Sequence, residues 1–119
     1  MIVITLLALV LKLLGFFFIF AAALGVLRFK DPLQRMHAAT KSGTIGAGLM
    51  VIGAACASGD GATIGIAAIT VFFLVVTVPI AGHLLGRAIY ISGAPLVGIE
   101  GNDALEGVLE RVVPLKTED

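Results

Sequence analysis

Tryptophan is absent from this 119-residue chain, cysteine occurs once, and only 13% of the residues carry a formal charge. The lone Cys56 excludes an intrachain disulfide and, set in an apolar stretch, reads as a small packing residue. No Cys or His cluster has metal-ligand spacing, and the sequence calls for no cofactor and no enzyme active site. Eight basic and eight acidic residues cancel, so net charge points to no nucleic acid. The wider shortage of polar residues excludes more, because 59% of the chain is hydrophobic. A soluble domain of this length needs a polar surface that such a composition cannot supply.

What is present comes in long apolar blocks, the pattern of an all-α integral membrane protein. The first block predicts a helix over about 2–27, broken only by Lys12. No basic residue precedes it and it is longer than a signal peptide needs, so it reads as a retained span. Asp31 then offers an N-cap and Pro32 suits a first helical position, which predicts a second helix over about 32–57. Ser58-Gly59-Asp60-Gly61 is a tight polar turn. The third block predicts a helix over about 62–91, antiparallel to the second because the connection is so short. Residues 1–91 thus form a transmembrane domain of three helices, and 92–119 a tail.

That tail holds six of the eight acidic residues. Leu105, Val108, Leu109 and Val112 recur at helical spacing, which predicts a short amphipathic helix capped by Asn102 or Asp103. Arg28, Lys30, Arg35 and Lys41 flank the first connection, and Arg87, Arg111 and Lys116 follow the third block, whereas the Ser58–Gly61 turn has no basic residue. Basic residues collect on the cytoplasmic side, so the N-terminus is expected outside and the acidic tail inside.

An ion or proton carrier usually keeps a carboxylate within the membrane, and no Asp or Glu falls inside these blocks. The chain is therefore expected to support a pathway whose ionisable groups belong to other chains. Lys12 is the irregularity of the first helix; it either meets an acidic group on another subunit or snorkels to the outer interface. Pro79 is that of the third, where it removes one backbone hydrogen bond. With Thr77 and His83 it marks either a kink for packing or part of a hydrated ion path. In the second helix Ala38, Ser42 and Gly46 recur every four residues, as do Ala39, Gly43 and Ala47. Such stripes let helices approach closely in lipid. Arg28, Asp31, Arg35, His37 and Lys41 form a basic motif that could hold anionic headgroups or a neighbouring subunit, with Asp31 free to cap the helix.

The run from Gly25 to Gly46, GVLRFKDPLQRMHAATKSGTIG, carries the most specific signal. It resembles the signature of the G subunit of multisubunit Mrp-type (Mnh, Pha) cation/proton antiporters, approximately G-x-x-R-F-x-D-x-x-x-R-x-H-A-x-T-K-x-x-T-x-G. Every fixed position is matched, and the likeness in length, span number and tail covers about residues 1–100. The resemblance implies a multi-pass protein of the bacterial inner membrane, with other membrane subunits and the lipid bilayer as partners. It also implies that the whole complex exchanges cytoplasmic Na+ for external H+. Pro79 stands where the family has a proline. Two other classes compete: a self-assembling holin-like pore former, whose tail is typically basic, and a small drug exporter, which relies on a membrane-embedded Glu.

Overall fold

In lipid every peptide group must find its partner within the protein, and a helix does this using its own backbone. The computed structural model, which describes residues 1–96 and 103–112, is all-helical with no strand among those residues. Helix α1 is Ile2–Arg28, α2 is Pro32–His37, α3 is Gly43–Ser58 and α4 is Gly61–Ile91. Both α1 and α4 are long and apolar enough to cross a membrane.

Local chemistry sets the breaks. α1 ends where Phe29 turns to extended backbone, its N–H still bonded to the Gly25 carbonyl at 3.0 Å. Asp31, only 7% exposed, accepts a 2.9 Å hydrogen bond from the Leu33 N–H and starts α2 just before Pro32. At the other end of the molecule Gly59 closes α3 with φ 63, a left-handed conformation that glycine adopts without strain. Asp60 caps α4, accepting from both the N–H and the hydroxyl of Thr63 at 3.0 Å.

Those two bonds, the backbone one foremost, hold the Asp60 carboxyl below its ordinary value. A depressed carboxylate contributes stability above its unfolded pKa, and the contribution fades as pH falls through the folded value. Amide-exchange protection in the first turn of α4 is therefore expected to drop below about pH 4, and Asp60→Asn to abolish that drop. Protection that stays level through this range in the unsubstituted chain contradicts the cap's role.

The second helix departs from expectation. Between α2 and α3 the residues Ala38–Ser42 form one π-helical turn, so Pro32–Ser58 is a continuous helical run with a wider turn inside it. Thr40 explains part of the irregularity. Its hydroxyl donates to the Met36 carbonyl at 2.8 Å, competing for the acceptor that an α-helix would give to its own N–H.

The core is made of small residues. Ala8, Gly15 and Ala22 on α1 and Gly46, Gly53 and Ala55 on α3 are buried, and no large side chain among the described residues is fully buried. A methyl group on Gly15 would lie 2.7 Å from Met50 Cγ and 2.8 Å from the Gly46 carbonyl oxygen. α4 packs on α3 through Ala67, beside an apolar cleft lined by Ile52, Cys56 and Ala68. α1 and α4 do not meet, so the helices form an open layer with α3 in the middle. Large side chains of α1 and α4 stay uncovered, among them Phe16, Phe20, Phe72 and Phe73.

The amphipathic helix expected over 105–112 is not formed. Residues 104–108 make turns instead and 110–112 run without regular structure, with Gly107 at φ 82 interrupting the helical path. Asp103 still caps locally, accepting from the Leu105 N–H at 3.0 Å. The expected alternative cap Asn102 lies outside the described residues. Arg111 ties this segment to the end of α4: it donates to the Tyr90 and Ala94 carbonyls at 3.1 and 2.7 Å and lies 4.9 Å from the Tyr90 ring centre. Tyr90 in turn donates to Asp103 at 2.7 Å.

Candidate functional site

The basic motif divides into two groups with different tasks. Asp31 and Arg35 serve the connection itself, buried Asp31 as the α2 cap and exposed Arg35 donating from Nε to the Phe29 carbonyl at 2.6 Å. That contact satisfies a carbonyl just past the end of α1, where helices leave such groups unpaired. Arg28, His37 and Lys41 are exposed and make no side-chain hydrogen bond among the described residues. With Gln34 and Ser42 they edge a cleft of about 810 Å³ whose walls are Ala21, Leu24, Gly25, Phe29, Leu33 and Ala38.

Depth along the helices can be read from the glycines. A methyl on Gly25 would overlap Ala38 Cβ at 2.6 Å, and one on Gly43 would lie 3.9 Å from Ala22 Cβ. Lys41 is therefore level with the last turns of α1 rather than its end, about 9 Å along the axis from Arg28. The cleft carries cations at its mouth and part-way down an otherwise apolar wall.

A second cleft, of about 610 Å³, opens between α2 and α4. His83 and Arg87 line it with Met36 and Tyr90, and Leu105, Val108 and Leu109 of the tail close it. A methyl on Gly86 would touch Met36 Cε at 3.5 Å, and one on Gly82 would touch Thr40 Cγ2 at 3.9 Å. By this register Pro79 stands level with the π turn and Gly43. Thr77 does not join it. Its hydroxyl donates to the Phe73 carbonyl of its own helix, and two residues of helix carry it about 200° around the axis from Pro79. His83, one turn further along, shares the Pro79 face.

Lys12 is half-buried in the α1–α3 seam, where a methyl on Gly53 would lie 3.0 Å from its Cγ. Of the small residues that recur in the second helix, Gly46 is buried against Gly15 and Ile19, Ala38 meets Gly25, and Gly43 faces Ala22. Ser42 edges the basic cleft, Ala47 is half-buried and Ala39 is exposed. The answering stripe on α1, Ala8, Gly15 and Ala22, is one that sequence reasoning missed; its seven-residue spacing of small residues is the signal that could have found it. Among the described residues no group of His, Cys, Asp or Glu is placed to hold a metal ion.

Residues 11–90 match the PhaG/MnhG/YufB family model, described as a Na+/H+ antiporter subunit. The chain is 34% identical over 105 residues to the G-type Na(+)/H(+) antiporter subunit of Alkalihalophilus pseudofirmus, an alignment covering 83% of this chain and 85% of that one. It is 40% identical over 90 residues to UPF0091 protein PH1455 of Pyrococcus horikoshii, covering 72% and 75% of the two chains. Among solved structures, a chain of the membrane-bound sulfane sulfur reductase, an archaeal respiratory membrane complex, superimposes with a TM-score of 0.75 at 36% identity. That match covers 87% of this chain and 94% of its counterpart.

Proposed function

The chain belongs to the PhaG/MnhG/YufB family of Na+/H+ antiporter subunits, and from that premise we propose that it is a three-span packing subunit that shapes the antiporter without itself carrying the transported ion. The observation behind this reading is the open helix layer. α1 and α4 flank α3 with no close backbone approach between them, and both helices present large uncovered apolar side chains. Such a layer offers neighbouring membrane subunits two broad surfaces. Between α1 and α3 the backbones come close together at Gly15 and Gly46.

The third span is the run Pro32–Ser58, about 40 Å of continuous helix despite its π turn. With basic residues at the Arg28–Pro32 end, the N-terminus lies outside and the tail in the cytoplasm. Lys12 then sits near the outer turn. It is level with Gly53, five residues or about 8 Å below the end of α3, which a lysine stem can largely cover by snorkelling. Pro79 and the π turn, at one depth, set the local shape of the layer where neighbours dock.

On this account Lys12 and His83 are dispensable for turnover. The assembled complex with Lys12→Met and His83→Gln, reconstituted in proteoliposomes, is expected to exchange Na+ for H+ within about twofold of the native rate. Loss of exchange with every subunit still present would show that this chain handles the ion itself.

A further inference from the structure

The cleft edged by Arg28, His37 and Lys41 sits at the basic end of the molecule and combines two chemistries. Its rim is cationic, and its wall is the apolar side of α1 at Ala21, Leu24 and Gly25. Asp31 and Arg35, the other charged members of the motif, are spent on the α1–α2 connection and leave the three cations free of internal acceptors among the described residues. Lys41 also sits about 9 Å further into the layer than Arg28.

From this geometry we propose that the cleft is a binding site for one anionic phospholipid. The phosphate is held between Arg28, His37 and Lys41, and an acyl chain lies against Ala21 and Leu24. Charge complementarity fixes the sign of the ligand. Basic pockets between membrane helices on the cytoplasmic side suit anionic headgroups. The wall fixes the class: Ala21, Leu24, Gly25, Leu33 and Ala38 below the cations seat an acyl chain, and an acidic loop of a soluble partner would leave that apolar part unfilled. A phospholipid places its phosphate at the rim, where the Lys41 stem can reach up to it, and its chains in the apolar part. Gln34, near the start of α2, supplies a neutral donor for the headgroup glycerol. The proposal rests on the membrane-spanning reading of the chain but not on its share in antiport.

The intact complex is purified in detergent and exchanged into nanodiscs of equal parts phosphatidylglycerol and phosphatidylcholine. Native mass spectrometry then reads the lipid retained on this subunit. Phosphatidylglycerol is expected to be retained in preference to phosphatidylcholine, and Arg28→Gln with Lys41→Gln to reduce that retention roughly thirtyfold. Arg28→Lys with Lys41→Arg keeps the charges and is expected to keep the lipid, which separates a lost site from a misfolded chain. Equal retention of the two lipids, or phosphatidylglycerol retention unchanged in the glutamine variant, overturns the proposal. So does release of a partner subunit from the glutamine variant with its lipid content unaltered, since the cleft would then be a protein contact. Displacement of the lipid by soluble glycerophosphoglycerol or inorganic phosphate at equal concentration also overturns it, because the acyl chain would then contribute nothing. Exchange activity, measured on the same preparations, reports separately on the antiporter reading.

Discussion

Gly46→Leu is expected to remove this subunit from the complex. A methyl group at position 46 would already lie 2.7 Å from Ile19 Cγ1, 2.8 Å from the Gly15 carbonyl oxygen and 2.8 Å from the Ile19 nitrogen. Two of the three obstacles are backbone, so no rotamer change relieves them, and α1 must move away from α3. Overpacking a well-packed site costs about 1–3 kcal/mol when side chains can yield; here they cannot, and the loss is expected at or above the top of that range. The separation would also release the contacts at Gly15 and Gly53, because all three glycines lie on one seam. Gly48→Leu is the matched control, since a methyl at Gly48 meets nothing within 4 Å in this chain. Titration of the full chain from mild micelles into a denaturing detergent, followed by circular dichroism, compares the two. The Gly46 variant should lose tertiary packing at markedly lower detergent fraction. Equal midpoints for the two variants would mean that the seam does not hold the layer together.

The seam also shows why part of this fold was legible in sequence and part was not. The breaks between helices were legible because they rest on local chemistry: Asp31 before Pro32, and Gly59 with Asp60 in the Ser58–Gly61 turn. Which faces pack was not legible, since α1 and α4 are apolar all round and lipid removes the polar face that orients a helix in water. The stripes in the second helix pointed to close packing, but only the structure pairs Gly46 with Gly15 and leaves Ala39 exposed. The π turn at Ala38–Ser42 escaped because an extra residue in a turn leaves no compositional mark; the hydroxyl of Thr40 was its one local hint. The tail misled for a related reason. The spacing of Leu105, Val108, Leu109 and Val112 is helical, but Gly107 in a left-handed conformation and the Arg111 tie to α4 impose turns.

For the site, residue type was legible and task was not. The basic motif reads in sequence as one cluster, and the structure divides it into a connection held by Asp31 and Arg35 and a cleft edged by Arg28, His37 and Lys41. Thr77, Pro79 and His83 lie close along the chain, but helical rotation turns the threonine hydroxyl away from the other two. Spacing predicts a shared helical face only when it falls near whole turns, at three, four or seven residues, and a spacing of two does not.

The second large effect concerns the whole chain. A subunit whose α1 and α4 carry large uncovered apolar side chains, and whose spans hold no carboxylate, contributes through what it holds in place. Its removal should therefore be as damaging as removal of a subunit that carries the ion, because the neighbours lose the surface that positions them. Expression of the chain alone, in contrast, should insert harmlessly; leakage and cell death would favour a pore former. The most direct measurement is Na+-dependent proton exchange in everted membrane vesicles from cells lacking only this chain. The account predicts that exchange is abolished and is restored by supplying the chain from a plasmid. Exchange that continues unchanged in its absence would contradict it.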